Sequence, residues 1–294
     1  MMHKHSYAYG HKLVFDSSHK KKVEGGIYIS KCAPLSLNNY SHKLFFKTNQ
    51  GRTIFICSPS PLDIEKSKWA FVVEDCITFV CDIKEKSICY IEGEHYSEKL
   101  MEYWLVHIVL PLFWTLEGSF YFLHTGSVLI EGKAVLFMGE SYAGKSTMTD
   151  LFLQKQHPLL SDDKLATFYD DKSKMFKVYA SHPYHRPYRA REDLGKRSEN
   201  FQEGSFDIDR LYWLQPVESD KDVKITELKG IKKFERLRYS TEMHLSLLDS
   251  KERFNYITQF ANHVVMYELE VPNDLSKLPK VYDTIMKHLR GEQV

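Results

Sequence analysis

The feature that most constrains this chain is a nine-residue stretch, Gly139-Glu140-Ser141-Tyr142-Ala143-Gly144-Lys145-Ser146-Thr147. It fits G-x-x-x-x-G-K-[ST], a loop that wraps phosphate. Gly139 permits a tight exit from a strand, and Gly144 lets the backbone approach an anion closely. Successive N–H groups and the start of the following helix then face that anion. The Lys145 ammonium is placed to reach the outer phosphates of a polyphosphate, and the Ser146 hydroxyl to ligate Mg2+. The flanks agree. Ala134-Val135-Leu136-Phe137-Met138 is an unbroken apolar run, as in a strand buried on both faces. After the loop, Met148, Leu151 and Phe152 recur at helical spacing. Average residue frequencies would produce the pattern by chance in about 1% of chains this long. With the strand–loop–helix setting added, an ordinary glycine turn is the weaker reading.

The chain has 294 residues, enough for one large domain or two modest ones, and is 43% hydrophobic, enough for a substantial core. A net charge of +1 argues against a general nucleic-acid binder. The five cysteines, Cys32, Cys57, Cys76, Cys81 and Cys89, all precede residue 90. The opening residues lack an apolar secretory segment, so reduced thiols in a cytoplasmic protein are expected. No C-x-x-C pair supports a zinc site from Cys76, Cys81 and Cys89, which read as core cysteines. His3, His5 and His11 read as solvated terminal residues. The apolar stretch from Tyr103 to Leu116 is too short to span a membrane and contains His107 and Pro111. It reads as a buried helix, N-capped by Ser97 and ended or kinked at Pro111, and no membrane partner is expected.

Residues 1–95 read as a β-rich domain, with short strand-like runs separated by turn residues. Residues 96–294 read as the domain carrying the phosphate loop. Phe120 to Ile130 reads as one strand that turns through Glu131-Gly132-Lys133 into the strand before the loop. His124 falls at its midpoint, where a histidine is ordinarily a packing residue. Pro158-Leu159-Leu160 is a further short strand, followed by Ser161-Asp162-Asp163-Lys164. Acids at the carboxyl end of a strand beside a phosphate loop are placed for chemistry. One can hold Mg2+ and the other can accept a proton from a hydroxyl. The segment from Ser181 to Arg191 carries Arg186, Arg189 and Arg191 with His182 and His185. It reads either as a solvated basic loop or as a phosphate clamp. Strands are expected at Ile208–Leu214, Lys224–Leu228 and Val264–Leu269, with helices over 230–238, 251–263 and 278–289.

Taken in order, Leu123-His124-Thr125-Gly126-Ser127-Val128, Glu131 to Val135, Gly139 to Thr147 and Leu160-Ser161-Asp162-Asp163 resemble the catalytic domain of HPr kinase/phosphorylase. The resemblance covers about residues 105–290. It is closer to the HPr kinase-like proteins of biosynthetic gene clusters than to HPr kinase itself. It implies an α/β fold of the phosphoenolpyruvate-carboxykinase-like P-loop kinase type, preceded here by a smaller β-rich domain. It also implies ATP-dependent, Mg2+-dependent phosphate transfer to a hydroxyl. By this resemblance Asp162 matches the general base, Asp163 an acid near the metal, Ser146 the Mg2+ ligand and Lys145 the phosphate lysine. His124 matches a histidine near the reacting phosphate. The family's glycine-rich acceptor signature is absent and residues 182–191 are far more basic. The resemblance therefore does not extend to HPr as acceptor or to phosphorolysis.

Together these readings give a kinase with a nucleotide and a hydroxyl acceptor as partners, the acceptor being a peptide or protein serine or a small metabolite such as a sugar. Arg186 and Arg189 would neutralise the moving phosphoryl group. Homo-oligomerisation is carried as a further expectation. The alternative is a nucleotide-binding regulatory or interaction protein without turnover. A motor or switch NTPase would need switch loops and a water-positioning residue, which are not seen.

Overall fold

In the computed structural model, residues 5–15, 26–37, 40–47, 51–58, 67–186, 192–241 and 250–292 are described. The protein is mixed α/β and divides into two compact units, residues 1–120 with 191–194, and residues 121–190 with 195–294. Among the described residues no helix is long and apolar enough to cross a membrane.

The first unit is an eight-stranded sheet. Its strands are β1 (His5–Ala8), β2 (His11–Phe15), β3 (Gly26–Lys31), β4 (Ser41–Lys47), β5 (Thr53–Ser58), β6 (Lys68–Val73), β7 (Ile77–Asp82) and β8 (Ser87–Glu92). They lie in the order β1-β2-β3-β8-β7-β6-β5-β4. Alternation dictates the strands: along β7, Ile77, Phe79 and Cys81 are buried while Thr78, Val80 and Asp82 are not. The long helix follows as α1 (Glu98–Trp104), a π-helical turn (Leu105–Val109) and α2 (Leu110–Glu117). Ser97 caps it through Leu100 N–H. Pro111, expected to end or kink the helix, does not end it: it sits in the first turn of α2 just after the π turn. That turn shifts the local pairing, with Leu110 N–H reaching Leu105 O, and the helix runs on. Its Trp104 packs on Phe71 and its Trp114 on Tyr9.

Two expectations about this unit change. His11 is half-buried, and its ring stacks on Trp114 at 5.0 Å between centroids. His3 lies outside the described residues. Nor are all five thiols reduced: Cys32 and Cys89 form a disulfide. Parallel pairing of β3 with β8, Ser30 opposite Cys89, brings these distant positions together. Cys57, Cys76 and Cys81 are free and buried, as expected of core cysteines.

The second unit holds β9 (Tyr121–His124), β10 (Gly126–Ile130), β11 (Lys133–Met138), α3 (Lys145–Gln154), β12 (Leu159–Ser161), β13 (Lys164–Asp170), β14 (Met175–Tyr179), β15 (Tyr184–His185), β16 (Lys196–Arg197), β17 (Ser205–Val217), β18 (Lys224–Glu227), α4 (Gly230–Ser240), α5 (Ser250–His263), β19 (Met266–Pro272) and α6 (Leu278–Leu289). The main sheet runs β12-β10-β11-β17-β14-β13-β9, with β19 on β17 and β18 on β19. The run Phe120–Ile130 is not one strand: β9 pairs with β13 and β10 with β11, and the chain changes partner at Thr125. The hairpin into β11 is present, with Glu131 and Gly132 both at positive φ, the geometry of a two-residue hairpin turn. Apolar clusters cover both faces. One includes Leu136, Met138, Trp213, Tyr256 and Phe260; the other includes Phe137, Phe152, Tyr212, Val281 and Ile285.

Candidate active site

The buried strand β11 delivers the chain into the 139–147 loop. Two glycines are required there. A Cβ on Gly139 would come 2.9 Å from Ala143 Cβ and 3.2 Å from Leu214 O, too close for any side chain. Gly144 caps α3 at φ 96°, the left-handed region that favours glycine. Met148, Leu151 and Phe152 then bury the helix in the core, as their spacing predicts. Lys145 is buried; its ammonium donates to Gly139 O at 2.9 Å and Glu140 O at 3.0 Å, folding back over the loop. Ser146 is half-buried, and Glu140, Ser141, Tyr142 and Thr147 are exposed.

The sheet brings the expected acids to the same edge. β10 is antiparallel to both β11 and β12, so β11 and β12 point the same way. Register puts Ser161 opposite Ser127, and Ser127 opposite Leu136. Asp162 and Asp163 therefore emerge level with the end of β11. Thr125 ties the edge together: its hydroxyl donates to Phe137 O at 3.0 Å and its N–H to Asp163 O at 3.0 Å. A Cβ on Gly126 would collide with Thr149 Oγ1, so α3 lies directly against this corner.

The two acids occupy different surroundings. Asp162 is 7% exposed. Its Oδ2 accepts from Arg186 N–H at 2.6 Å, and among the described residues its buried Oδ1 has no hydrogen-bond partner. Burial drives its carboxyl up to about 6, with the neighbouring Asp163 charge adding to the rise and the Arg186 N–H opposing it. Asp163 instead bridges a histidine and an arginine side chain. One oxygen lies 2.8 Å from His124 Nδ1 and the other 2.6 Å from the Arg186 guanidinium. His124 is at the end of β9, where the chain changes partner, and not at a strand midpoint.

The basic segment is built into this corner and is not merely solvated as far as Arg186. β15 pairs with β16, and Gly195 allows the contact, because a Cβ there would collide with His185 O. His185 reaches Asp150 on α3 at 3.6 Å. Arg189 lies outside the described residues. Sequence reasoning gave Thr125 and Gly126 no role of their own, passed over Asp150, and named His185 only within the possible phosphate clamp. The Thr-Gly pair interrupting an apolar run was the available signal for the first two.

The arrangement sets a glycine-bounded loop at a helix N-terminus beside a buried carboxylate with a raised pKa and one unpartnered oxygen, and a guanidinium fixed next to it. This is equipment for moving a proton while stabilising negative charge. No protein-family model matches the chain, and no curated protein matches it. Among solved structures, the chain is similar to the Hpr(Ser) kinase/phosphatase from Coxiella burnetii, at 12% identity and a TM-score of 0.36, over 57% of this chain and 95% of that one. At that distance the likeness decides nothing about the site, whose chemistry is read from its own geometry.

Proposed function

We propose that this chain is a phosphotransferase. It binds a nucleoside triphosphate such as ATP on the 139–147 loop and passes the terminal phosphoryl group to a hydroxyl acceptor, a peptide or protein serine or a small metabolite. The observation that carries the reading is Asp162, buried and with no hydrogen-bond partner for Oδ1 among the described residues, on the edge where the 139–147 loop begins. A module that only binds nucleotide has no use for a carboxylate held there at the cost of desolvation. A P-loop kinase arrangement of the phosphoenolpyruvate-carboxykinase-like type belongs to the same proposal.

In this reading the acceptor O–H gives its proton to Asp162 Oδ1. The acceptor oxygen bonds to the terminal phosphorus as the bridge to the diphosphate breaks, and nucleoside diphosphate leaves. Lys145 turns from its loop carbonyls to the phosphates. Arg186, anchored on Asp163, meets the charge on the moving group, and His124 holds Asp163 from the other side. Arg189 is assigned the same duty as Arg186. The donors at the loop are oxygens, the Ser146 hydroxyl and a carboxylate, which is the set Mg2+ takes together with phosphate oxygens. Ser146 and Asp163 would hold it; when bound it would draw off negative charge from the phosphates.

The test is phosphate transfer from Mg-ATP to a panel of serine peptides and hydroxyl metabolites. Transfer is expected with the native chain and is lost in Lys145→Ala and Asp162→Asn. If both variants transfer at the native rate, the reading is wrong. Tight nucleotide binding without consumption across the panel would favour the regulatory alternative.

A further inference from the structure

The carboxyl edge of the second unit does not stop at the phosphate loop. β17 and β19 run parallel to β11, with Met138 opposite Trp213 and Val217 opposite Pro272. β17 thus continues four residues past the level where β11 ends. Two cavities open there. A cleft of about 140 Å³ lies between loop residues 140–143 and strand residues 213–216. A broader one of about 710 Å³ begins at Pro216, which lines both, and includes Glu218, Ser219, Glu270 and Asn273. Ligand sites of small molecules commonly fall between about 300 and 1,000 Å³.

We propose that this groove takes the nucleoside half of the triphosphate, its ribose and base. The inference rests on the phosphotransferase reading above and adds a direction to it. Asp162 lies on the β12 side of the loop, and the groove lies on the β17–β19 side. A triphosphate laid along the loop with its terminal phosphate toward Asp162 must carry its nucleoside the opposite way, into the cleft beside Tyr142 and Pro216. The lining suits that cargo. Pro216 and Val217 offer an apolar surface to a ring. Glu270, 3.6 Å from Lys224, and Glu218 present carboxylates that accept from vicinal hydroxyls. The Asn273 amide can both donate to and accept from a base edge.

The far wall is held in place. Lys277 Nζ donates to Ser219 O at 2.6 Å and Lys221 O at 3.1 Å, and Lys280 pairs with Asp222 at 2.6 Å. Asn273 N–H donates to Val217 O at 2.9 Å. The 218–222 turn is therefore pinned to α6 and its leading turn, and a ligand would meet a formed surface.

The experiment compares calorimetric binding of ATP and inorganic tripolyphosphate to the full chain. Tripolyphosphate reads the loop alone; the excess affinity of ATP reads the groove. Ser219→Trp, on an exposed turn, fills the cavity, and Glu270→Gln removes a hydroxyl acceptor without changing shape. Ser219→Trp is expected to weaken ATP by about tenfold or more, and Glu270→Gln by several-fold, while tripolyphosphate stays within about twofold. Lys145→Ala should weaken both ligands. If ATP binds but both groove variants leave the ATP-to-tripolyphosphate ratio unchanged, the nucleoside lies elsewhere while the loop reading stands. If the native chain binds neither ligand, the loop reading falls and the groove assignment with it.

Discussion

The two sheets of this protein use the same strand chemistry to opposite ends. In the first unit most neighbours are antiparallel; β2–β3 and β3–β8 are the parallel pairs. β2, β3 and β8 therefore share one direction, and from β8 to β4 the strand ends alternate. In the second unit β12, β11, β17 and β19 all point one way, so their carboxyl ends share one edge. Buried ionisable groups follow the same division. Among the described residues, the second unit buries Lys145, Asp162, Lys164 and His182; His107 and core cysteines are the counterparts in the first. Burying charge costs several kcal/mol unless it is compensated. A fold tolerates that where backbone N–H groups and opposite charges converge, as the Arg186 N–H and guanidinium do on Asp162 and Asp163 beyond the end of β12.

The comparison breaks most sharply through activity. Asp162→Asn, which removes the proton acceptor of the proposed mechanism, should cut phosphate transfer by about 10²–10⁴-fold, the usual contribution of a positioned base. Arg186→Ala should also fall, by roughly 10–10²-fold, since Asp163 loses its guanidinium and the moving phosphoryl group its counter-charge. Lys31→Ala in the first unit removes only the exposed Lys31–Glu92 pair and should leave the rate within error. Initial-rate measurements on the three variants decide the matter. A rate in Lys31→Ala as low as in Asp162→Asn would place the chemistry on the wrong sheet.

What the residues disclosed beforehand follows the range of the forces involved. Strands β2 to β8 were legible because alternation is local: Ile77, Phe79 and Cys81 name their own face. The strand–loop–helix turn at 139–147 was legible because its glycines and lysine act within nine residues. The change of partner at Thr125 was not, because the His124-Thr125-Gly126-Ser127 interruption of the apolar run does not say which strands its two halves pair with. The placement of His124 at a strand end followed from that, and only the resemblance had singled the residue out. The anchoring of residues 182–186 depends on Gly195 and Asp150, distant in sequence and ordinary in type. The Cys32–Cys89 bond was hidden for the same reason, since its partners are 57 residues apart.

That bond gives the second test, and its effect should stay within one unit. Cross-linking across a separation of 57 residues restricts the unfolded chain by about 4 kcal/mol in the loop-entropy estimate, within a usual range of about 2–4. In Cys32→Ser, amide exchange should therefore quicken along β3 and β8, whose ladder the bond staples. Exchange along β11 and β17 should not move. Equal acceleration in both sheets would mean that the two units unfold as one, and the contrast drawn here would lose its thermodynamic side.

The third effect is smaller and ties stability to chemistry at one atom. The Asp162 carboxyl sits at about 6 in the folded protein against 3.8 for an ordinary aspartate. Between those values the folded chain keeps a proton that the unfolded chain has released, so stability falls as pH rises through that window. About two units at 1.36 kcal/mol each give roughly 3 kcal/mol lost by pH 7. Asp162→Asn carries no such charge. It should be more stable than the native chain at pH 7, by up to about 3 kcal/mol, with the difference vanishing below about pH 4. Transfer by the native chain should move the other way, rising about tenfold per pH unit up to about 6 and then levelling, as the carboxylate becomes able to accept a proton. Denaturant unfolding and initial rates across pH 4–8 read both. A native-to-variant stability difference that is flat over this range would show that Asp162 does not titrate there, and the buried carboxylate would then be a structural residue like those of the first unit.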